Sequence, residues 1–135
     1  MSKPEQSLWQ RLKKNLPPKT HATRIENRAG SGVPDVHLVH DGVAVWVELK
    51  IAKANTINMR PSQIAWNMAY SAAGGVSFIL VSRPSKGDIF LFEGGAALRL
   101  AASGLADCSP VFHGTSLADC AACILRLGAC ESQDL

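Results

Sequence analysis

The sequence lacks any run of about eighteen apolar residues, the length that a membrane-spanning helix needs. Residues 1–16 also lack an uninterrupted apolar core, because polar and apolar side chains alternate there, so a secretory signal is not expected. We therefore expect a cytoplasmic, intracellular protein with no membrane partner. In that compartment the four cysteines are expected to be free thiols rather than disulfides.

Several common motifs are absent as well. The sequence contains no P-loop and no G-x-S-x-G, so nothing indicates nucleotide hydrolysis or acyl transfer. It contains no internal repeat and no low-complexity linker. Its 135 residues make one ordinary domain, and a composition of 47% hydrophobic and 19% charged residues is typical of globular proteins. A disordered or fibrous chain is thereby excluded.

Positive charge is concentrated in one half of the chain. Residues 1–60 hold ten Lys and Arg against five Asp and Glu, a balance of +5, whereas residues 61–135 hold four against six, a balance of −2. A basic half favours a polyanionic partner such as nucleic acid. A solvated basic surface with no partner is the alternative.

Periodicity and turn residues predict the order of the elements. Helices are predicted over residues 4–16, 61–73, 96–106 and 115–129. Strands are predicted over residues 35–39, 43–51, 76–81 and 89–92, with an extended segment at 23–28. This order predicts an α/β sandwich around a mixed sheet, in which the helix at 61–73 connects two parallel strands.

The two strands at 35–39 and 43–51 are separated by a turn-forming His-Asp-Gly and are expected to form a hairpin. The helix at 61–73 is expected to turn four apolar side chains to the core, namely Ile64, Ala65, Met68 and Ala72.

Residues 35–50 contain the pattern that indicates chemistry. Glu48 and Lys50 lie two apart on a predicted strand and share a face, and the hairpin brings Asp35 close to Glu48. Two adjacent carboxylates repel each other unless a cation joins them, and oxygen ligands favour Mg²⁺ or Mn²⁺. We nominate the carbonyl of Leu49 as a third ligand. Lys50 would then orient the attacking water or stabilise a phosphate. Alternatively, Glu48 and Lys50 form an exposed ion pair worth less than about 1 kcal/mol.

These residues resemble the PD-(D/E)xK nuclease superfamily, and in particular the small branch of VRR-NUC domains and Holliday-junction resolvases found in phages and bacteria. The resemblance covers residues 5–93. Its motifs are Arg24-Ile25-Glu26-Asn27, Gly32-Val33-Pro34-Asp35, Trp46-Val47-Glu48-Leu49-Lys50 and Arg60-Pro61-Ser62-Gln63. It implies a three-layer, restriction-endonuclease-like core of αβββαβ order over residues 1–95. Residues 96–135 would then be a helical extension packed on the same domain.

The resemblance also implies a Mg²⁺-dependent DNA endonuclease of a bacterial or phage-infected cell. Asp35 and Glu48 would bind the metal and Lys50 would be the catalytic lysine. A further acidic residue is expected from Glu5 or Glu26, and the choice between them stays open. Gln63 would either approach the lysine or a carboxylate, or cap its own helix.

Seven basic residues are candidates for contacts with the DNA backbone. Such contacts give affinity and salt dependence but no sequence readout. They are Lys13, Lys14, Lys19, Arg24, Arg28, Lys53 and Arg60. The loop at 30–32 is glycine-rich, which would let its backbone approach phosphates closely.

Among DNA nucleases, a structure-selective enzyme of junction, replication or repair type is favoured over a sequence-specific restriction or homing enzyme. The chain is too short to include many elements that read the DNA sequence. A homodimer is implied by the resemblance, with the tail as a candidate dimer surface.

Two alternatives come from other classes. One is a non-catalytic DNA-binding module in which the acidic pair is structural. The other is a zinc- or thiol-based regulatory protein built on the cysteine-rich tail. The C-x-x-C of Cys120 and Cys123, with Cys108, Cys130 and His113 nearby, is the zinc candidate, although helical spacing favours thiols on one helix face.

Overall fold

The computed structural model describes residues 2–25 and 31–133, with side chains described as far as Cys130. Its helices are α1 (Lys3–Lys14), α2 (Pro61–Ala72), α3 (Ala97–Ser103) and α4 (Leu117–Gln133). Its strands are β1 (His21–Arg24), β2 (Val36–His40), β3 (Val43–Ile51), β4 (Ser77–Arg83), β5 (Asp88–Glu93) and β6 (Phe112–Gly114). Short 3₁₀ turns occupy Gly94–Ala96 and Leu105–Asp107.

The strands form one mixed sheet in the order β1-β2-β3-β4-β5-β6. Only β3 and β4 run parallel among these neighbours, and α2 connects them, as the sequence predicted. A parallel pair needs such a crossover because a tight turn can join only antiparallel strands. The prediction of an α/β protein with a mixed sheet is therefore confirmed.

Helices cover both faces of the sheet. On one face α1 and α4 pack on alternate residues of β3, among them Val45, Val47 and Leu49, in a cluster of fully buried side chains. On the other face α2 and α3 pack in a second cluster that includes Ile79 and Phe92. The result is three layers, helix, sheet and helix, in which β3 lies at the centre.

The β2–β3 hairpin forms where it was predicted. Its turn residues Asp41 and Gly42 both have positive φ, 51° and 78°. Two successive positive φ values define the type I′ turn, whose twist matches that of the flanking strands. The turn fixes the register, in which His40 pairs with Val43 and Val36 pairs with Val47.

The buried side of α2 differs from the prediction. Ile64 and Met68 do pack on the second cluster, but Ala65 and Ala72 are exposed and the fully buried positions are the polar Gln63 and Asn67. Asn67 donates to the Gln63 carbonyl at 2.9 Å and accepts from Ser77 Oγ at 3.0 Å. Burial is tolerated because the amide of Asn67 is hydrogen-bonded on both sides.

The segment beyond residue 95 is not purely helical. The predicted helix at 96–106 ends at Ser103, and β6 adds a strand by pairing with β5. Three residues containing a glycine give too short a pattern to predict a strand. The helix predicted at 115–129 is α4, and it runs to Gln133.

The cysteines are free: Cys108, Cys120 and Cys123 are buried and Cys130 is exposed. Burial raises the pKa of the Cys120 thiol to about 12, so this thiol is expected to be protonated at neutral pH. Within the described residues, no three His, Cys, Asp or Glu side chains are grouped so that they could hold a metal. The cysteines and His113 of the tail are thus not arranged as a zinc site in the part of the chain that the structure describes. Separately, no helix of the described chain has the length and apolar character to span a bilayer.

Candidate active site

The central strand β3 supplies two of the predicted site residues. Because strand side chains alternate, Glu48 and Lys50 point away from the cluster that contains Val47 and Leu49, toward the face covered by α2. Glu48 is fully buried and Lys50 is half-buried. The alternation predicted from the sequence thus places a carboxylate and an ammonium side by side on a rigid strand.

Asp35 reaches the same place from the residue before β2. Its Oδ2 accepts a hydrogen bond from the backbone N–H of Leu49 at 2.9 Å, and its carbonyl accepts from Ile25 at 2.6 Å. The β2–β3 register pairs Val36 with Val47, so one step further places Asp35 opposite Glu48. The hairpin therefore brings the two carboxyl groups together.

Glu48 has an unusual environment for an acidic side chain. Both of its carboxyl oxygens are buried, and neither accepts a well-formed hydrogen bond from the described residues, although the N–H and the carboxyl group of Asp35 lie close enough to affect its pKa. Burial, followed by the interaction with the Asp35 carboxyl group, raises the pKa of Glu48 far above its ordinary value of 4.5, and the Lys50 ammonium offsets only part of this. Without a cation, the Glu48 carboxyl group is therefore expected to stay protonated at neutral pH.

Lys50 is held by two oxygen acceptors. Its Nζ donates to Gln63 Oε1 at 2.8 Å and to the carbonyl of Asn58 at 2.9 Å. The same Gln63 oxygen accepts from the N–H of Arg60 at 3.0 Å, at the start of α2. Two roles were considered for Gln63, contact with the lysine and capping of its own helix. Its Oε1 makes both contacts.

Gly32 ties the loop before Asp35 to α2. Its φ is +77°, and a Cβ at this position would lie 2.0 Å from the carbonyl oxygen of Ser62. Glycine is required because the loop backbone presses on the first turn of α2 in a left-handed conformation. The glycine-rich loop was expected to approach phosphates closely. The close approach that the structure shows at Gly32 is instead to the first turn of α2.

The donor set fits a hard divalent cation. Asp35 and Glu48 offer oxygens, and the unpartnered buried oxygens of Glu48 are what a bound cation would satisfy. Two carboxylates suffice for Mg²⁺, which keeps several of its waters. The Leu49 N–H is engaged by Asp35, and a role for the Leu49 carbonyl stays a prediction.

The choice between Glu5 and Glu26 stays open. Glu5 is half-buried in the first turn of α1, where its carboxylate accepts a hydrogen bond from Ser2 Oγ at 3.1 Å. That helix covers the face of the sheet opposite to Glu48. Glu26 and the proposed phosphate contact Arg28 lie outside the described residues.

The predicted DNA-contacting residues are divided between two regions. Arg60 is exposed at the start of α2, next to Gln63, and Lys53 is exposed in the turn that follows β3. Lys13 and Lys14 are exposed at the end of α1, in the opposite layer, and the Lys13 ammonium lies 5.4 Å from the Trp9 ring. Two more are Lys19, which is exposed, and Arg24, which is half-buried on β1.

Sequence reasoning missed a row of aromatic side chains beside the site. The row is formed by His37, Trp46, Trp66 and Tyr70, and we call it the aromatic row. The signal was present in the spacing, because Trp46 shares the strand face of Glu48 and Trp66 lies one helical turn after Gln63. The ring centroid of His37 lies 4.5 Å from that of Trp46.

Comparisons with known proteins add no family. No protein-family model matches the chain, and no curated protein matches it either.

Proposed function

We propose that this protein is a Mg²⁺-dependent DNA endonuclease that hydrolyses phosphodiester bonds and selects its substrate by DNA structure. The observation that carries the proposal is the pairing of Asp35 with a fully buried Glu48 whose carboxyl oxygens accept no well-formed hydrogen bond from the described residues. Lys50, two residues along the same strand, supplies the adjacent positive charge. A purely structural acidic pair would be expected to have hydrogen-bond donors.

Asp35 and Glu48 would hold the metal, for which Mn²⁺ can substitute, and the Leu49 carbonyl is the candidate third ligand. Bound there, Mg²⁺ would make a coordinated water more acidic and offset negative charge on the phosphate. The backbone N–H of Leu49 keeps the Asp35 carboxylate in place, so the pair is oriented before a substrate arrives.

Lys50 would act on the water or on the phosphate. An ammonium has three donors, and two of them are directed at Gln63 and Asn58. The third is available to a phosphate oxygen or to the attacking water. Since Gln63 is itself anchored by the Arg60 N–H, the lysine is held in a defined position.

The first experiment is cleavage of labelled single-stranded, duplex, flap and four-way-junction DNA with Mg²⁺, Mn²⁺ or EDTA. We expect metal-dependent cutting by the wild type and its loss in Asp35→Ala, Glu48→Gln and Lys50→Ala. Exposed Glu93→Gln on β5 is the matched control and should cut as the wild type does.

Metal binding is measured separately, by the bound fraction of Mn²⁺ in titrations of wild type and Asp35→Ala. A folded wild type that binds DNA but neither cuts it nor binds Mn²⁺ would refute the enzyme and favour a non-catalytic DNA-binding module. Cutting of duplex DNA at one defined sequence would instead place it with restriction or homing enzymes. A homodimer is part of the proposal only for a junction substrate, which needs two active sites.

A further inference from the structure

The aromatic row is a continuous feature of the α2 face. Its ring centroids are separated by 4.5 Å from His37 to Trp46, 5.7 Å from Trp46 to Trp66, and 4.6 Å from Trp66 to Tyr70. All four residues are half-buried, so each keeps part of its surface in solvent. The row contains two of the three tryptophans and the only tyrosine of the chain.

The row does not belong to the hydrophobic cores. None of its members is among the residues of the two core clusters or the partly buried side chains packed on them. On the same helix, Ile64 and Met68 do pack on the second cluster. The large rings of α2 thus lie outside the core that the helix buries, which is not what core stabilisation requires.

One end of the row adjoins the candidate active site. His37 and Trp46 are paired across the β2–β3 hairpin, and Trp46 is two residues from Glu48 on the same strand face. Two residues of strand span roughly 7 Å, which is comparable to the separation of neighbouring nucleotides in an extended strand. The Tyr70 end rests on Gly75, where an added Cβ would come within 2.4 Å of the ring.

We propose that the aromatic row is a stacking platform for unpaired bases of DNA, placed so that a strand lying on it enters the acidic pair. Half-exposed aromatic rings beside positive charge are the features by which proteins bind single strands, since every base presents a π face. Arg60 and Lys50 provide positive charge at the first turn of α2, where both contact Gln63, one helical turn before Trp66. Duplex DNA cannot use the platform, because its bases are stacked on each other. The claim that the bound DNA strand leads into the acidic pair rests on the proposed function. Base stacking on the aromatic row does not itself require catalysis.

The test is fluorescence titration in EDTA, where no cleavage occurs. The ligands are a short thymidine oligonucleotide, an abasic oligonucleotide of equal length, and a duplex. We expect the thymidine strand to quench tryptophan emission and to bind more tightly than the abasic strand and the duplex. Trp66→Leu should weaken binding of the thymidine strand roughly 5- to 100-fold and Trp66→Phe much less, since phenylalanine still stacks.

Trp9 provides the matched control, because it is buried in the first core cluster under α1. Trp9→Phe should lower the total emission but leave the affinity and the absolute loss of emission on binding unchanged. Thermal melting of each variant shows whether it is folded, and Trp66→Phe keeps the test valid if Trp66→Leu is not. Equal binding of abasic and thymidine strands, or wild-type affinity in folded Trp66→Leu, would overturn the platform.

The two proposals fail in different ways. Base-dependent binding without metal-dependent cleavage of any DNA would refute the nuclease and keep the platform. Cleavage of duplex DNA by a protein that shows no base-dependent quenching would refute the platform and keep the nuclease.

Discussion

At the scale of single residues, the raised pKa of Glu48 makes a contribution to the stability of the metal-free protein that depends on pH. Its pKa in the folded state is raised by burial and by Asp35, so above pH 4.5 the folded state binds more protons than the unfolded state. Its contribution is therefore fully present below that pH and is lost as the pH rises. The slope is at most about 1.4 kcal/mol per pH unit, because one proton is involved.

Glu48→Gln is accordingly expected to raise the free energy of unfolding in EDTA, with a gain over wild type that grows from about pH 5 to about pH 8. Denaturant titrations at several pH values measure this gain. Added Mg²⁺ should stabilise the wild type and not the variant, since the cation satisfies the carboxylate. Parallel pH profiles of the two proteins would contradict the assignment, and Glu93→Gln should follow the wild type.

Gln63 is the second residue whose role is specific enough to test. Gln63→Leu removes the acceptor of two hydrogen bonds, from Lys50 Nζ and from the Arg60 N–H. We expect a loss of about 1–3 kcal/mol in the free energy of unfolding, because the partners are left without their acceptor. Gln10→Leu, at an exposed position of α1, is the matched substitution and should cost less than about 0.5 kcal/mol. Equal effects in urea denaturation would show that the Gln63 contacts contribute nothing.

At the scale of elements, the loop before Asp35 and the first turn of α2 form one unit through Gly32. The chain provides a control for this contact, because Gly32 and Gly42 have nearly the same φ, +77° and +78°, but a Cβ on Gly42 would meet nothing within 4 Å. Gly42→Ala should cost only the left-handed backbone strain, about 1–2 kcal/mol. Gly32→Ala adds the clash with the Ser62 carbonyl and should be clearly more destabilising.

Cleavage assays extend this comparison to the site. Gly32→Ala displaces the loop that carries Asp35, so we expect it to lower the cleavage rate at least tenfold under conditions where the variant is folded. Gly42→Ala should cut at nearly the wild-type rate. Equal denaturation midpoints for the two variants would mean that the loop moves away from α2 without cost.

The elements also show what the sequence could predict. The alternation along β3 and the Asp-Gly turn are local patterns, and they were enough to place Asp35, Glu48 and Lys50 on one face. The buried Gln63 and Asn67 could not be read from α2, because their partners come from β3, from β4 and from the helix backbone itself. The strand β6 was missed because three residues carry no periodicity, and its pairing with β5 depends on the whole sheet.

The aromatic row is a similar case between elements. The sequence predicts the element and the face on which each ring lies. Contact between Trp46 and Trp66, however, depends on how α2 lies across the sheet. That geometry follows from the crossover between β3 and β4 and from the packing of Ile64 and Met68. A sequence pattern within one helix or strand therefore cannot predict how α2 is placed on the sheet.

At the scale of the whole molecule, the basic half of the sequence becomes two separate surfaces. Arg60 lies at the start of α2, where its N–H contacts the Gln63 oxygen that also binds Lys50, whereas Lys14 lies at the end of α1 in the opposite layer. If DNA binds at the proposed site, Arg60 is the exposed basic residue at the start of α2 that we expect it to contact. Charge balance along the sequence could predict a polyanionic partner but not this division.

DNA affinity in EDTA should accordingly fall steeply with salt, because bound phosphates release counterions. We expect Arg60→Glu to weaken binding of single-stranded DNA and to reduce the slope of log K against log salt by about 1, the effect of one lost phosphate contact. Lys14→Glu changes the net charge by the same amount, so any general effect of charge is equal in the two variants. It should change the affinity less and leave the slope near that of the wild type. Fluorescence anisotropy at several salt concentrations measures both quantities. If the two variants lose affinity equally, DNA is attracted by overall charge and is not bound along the α2 face.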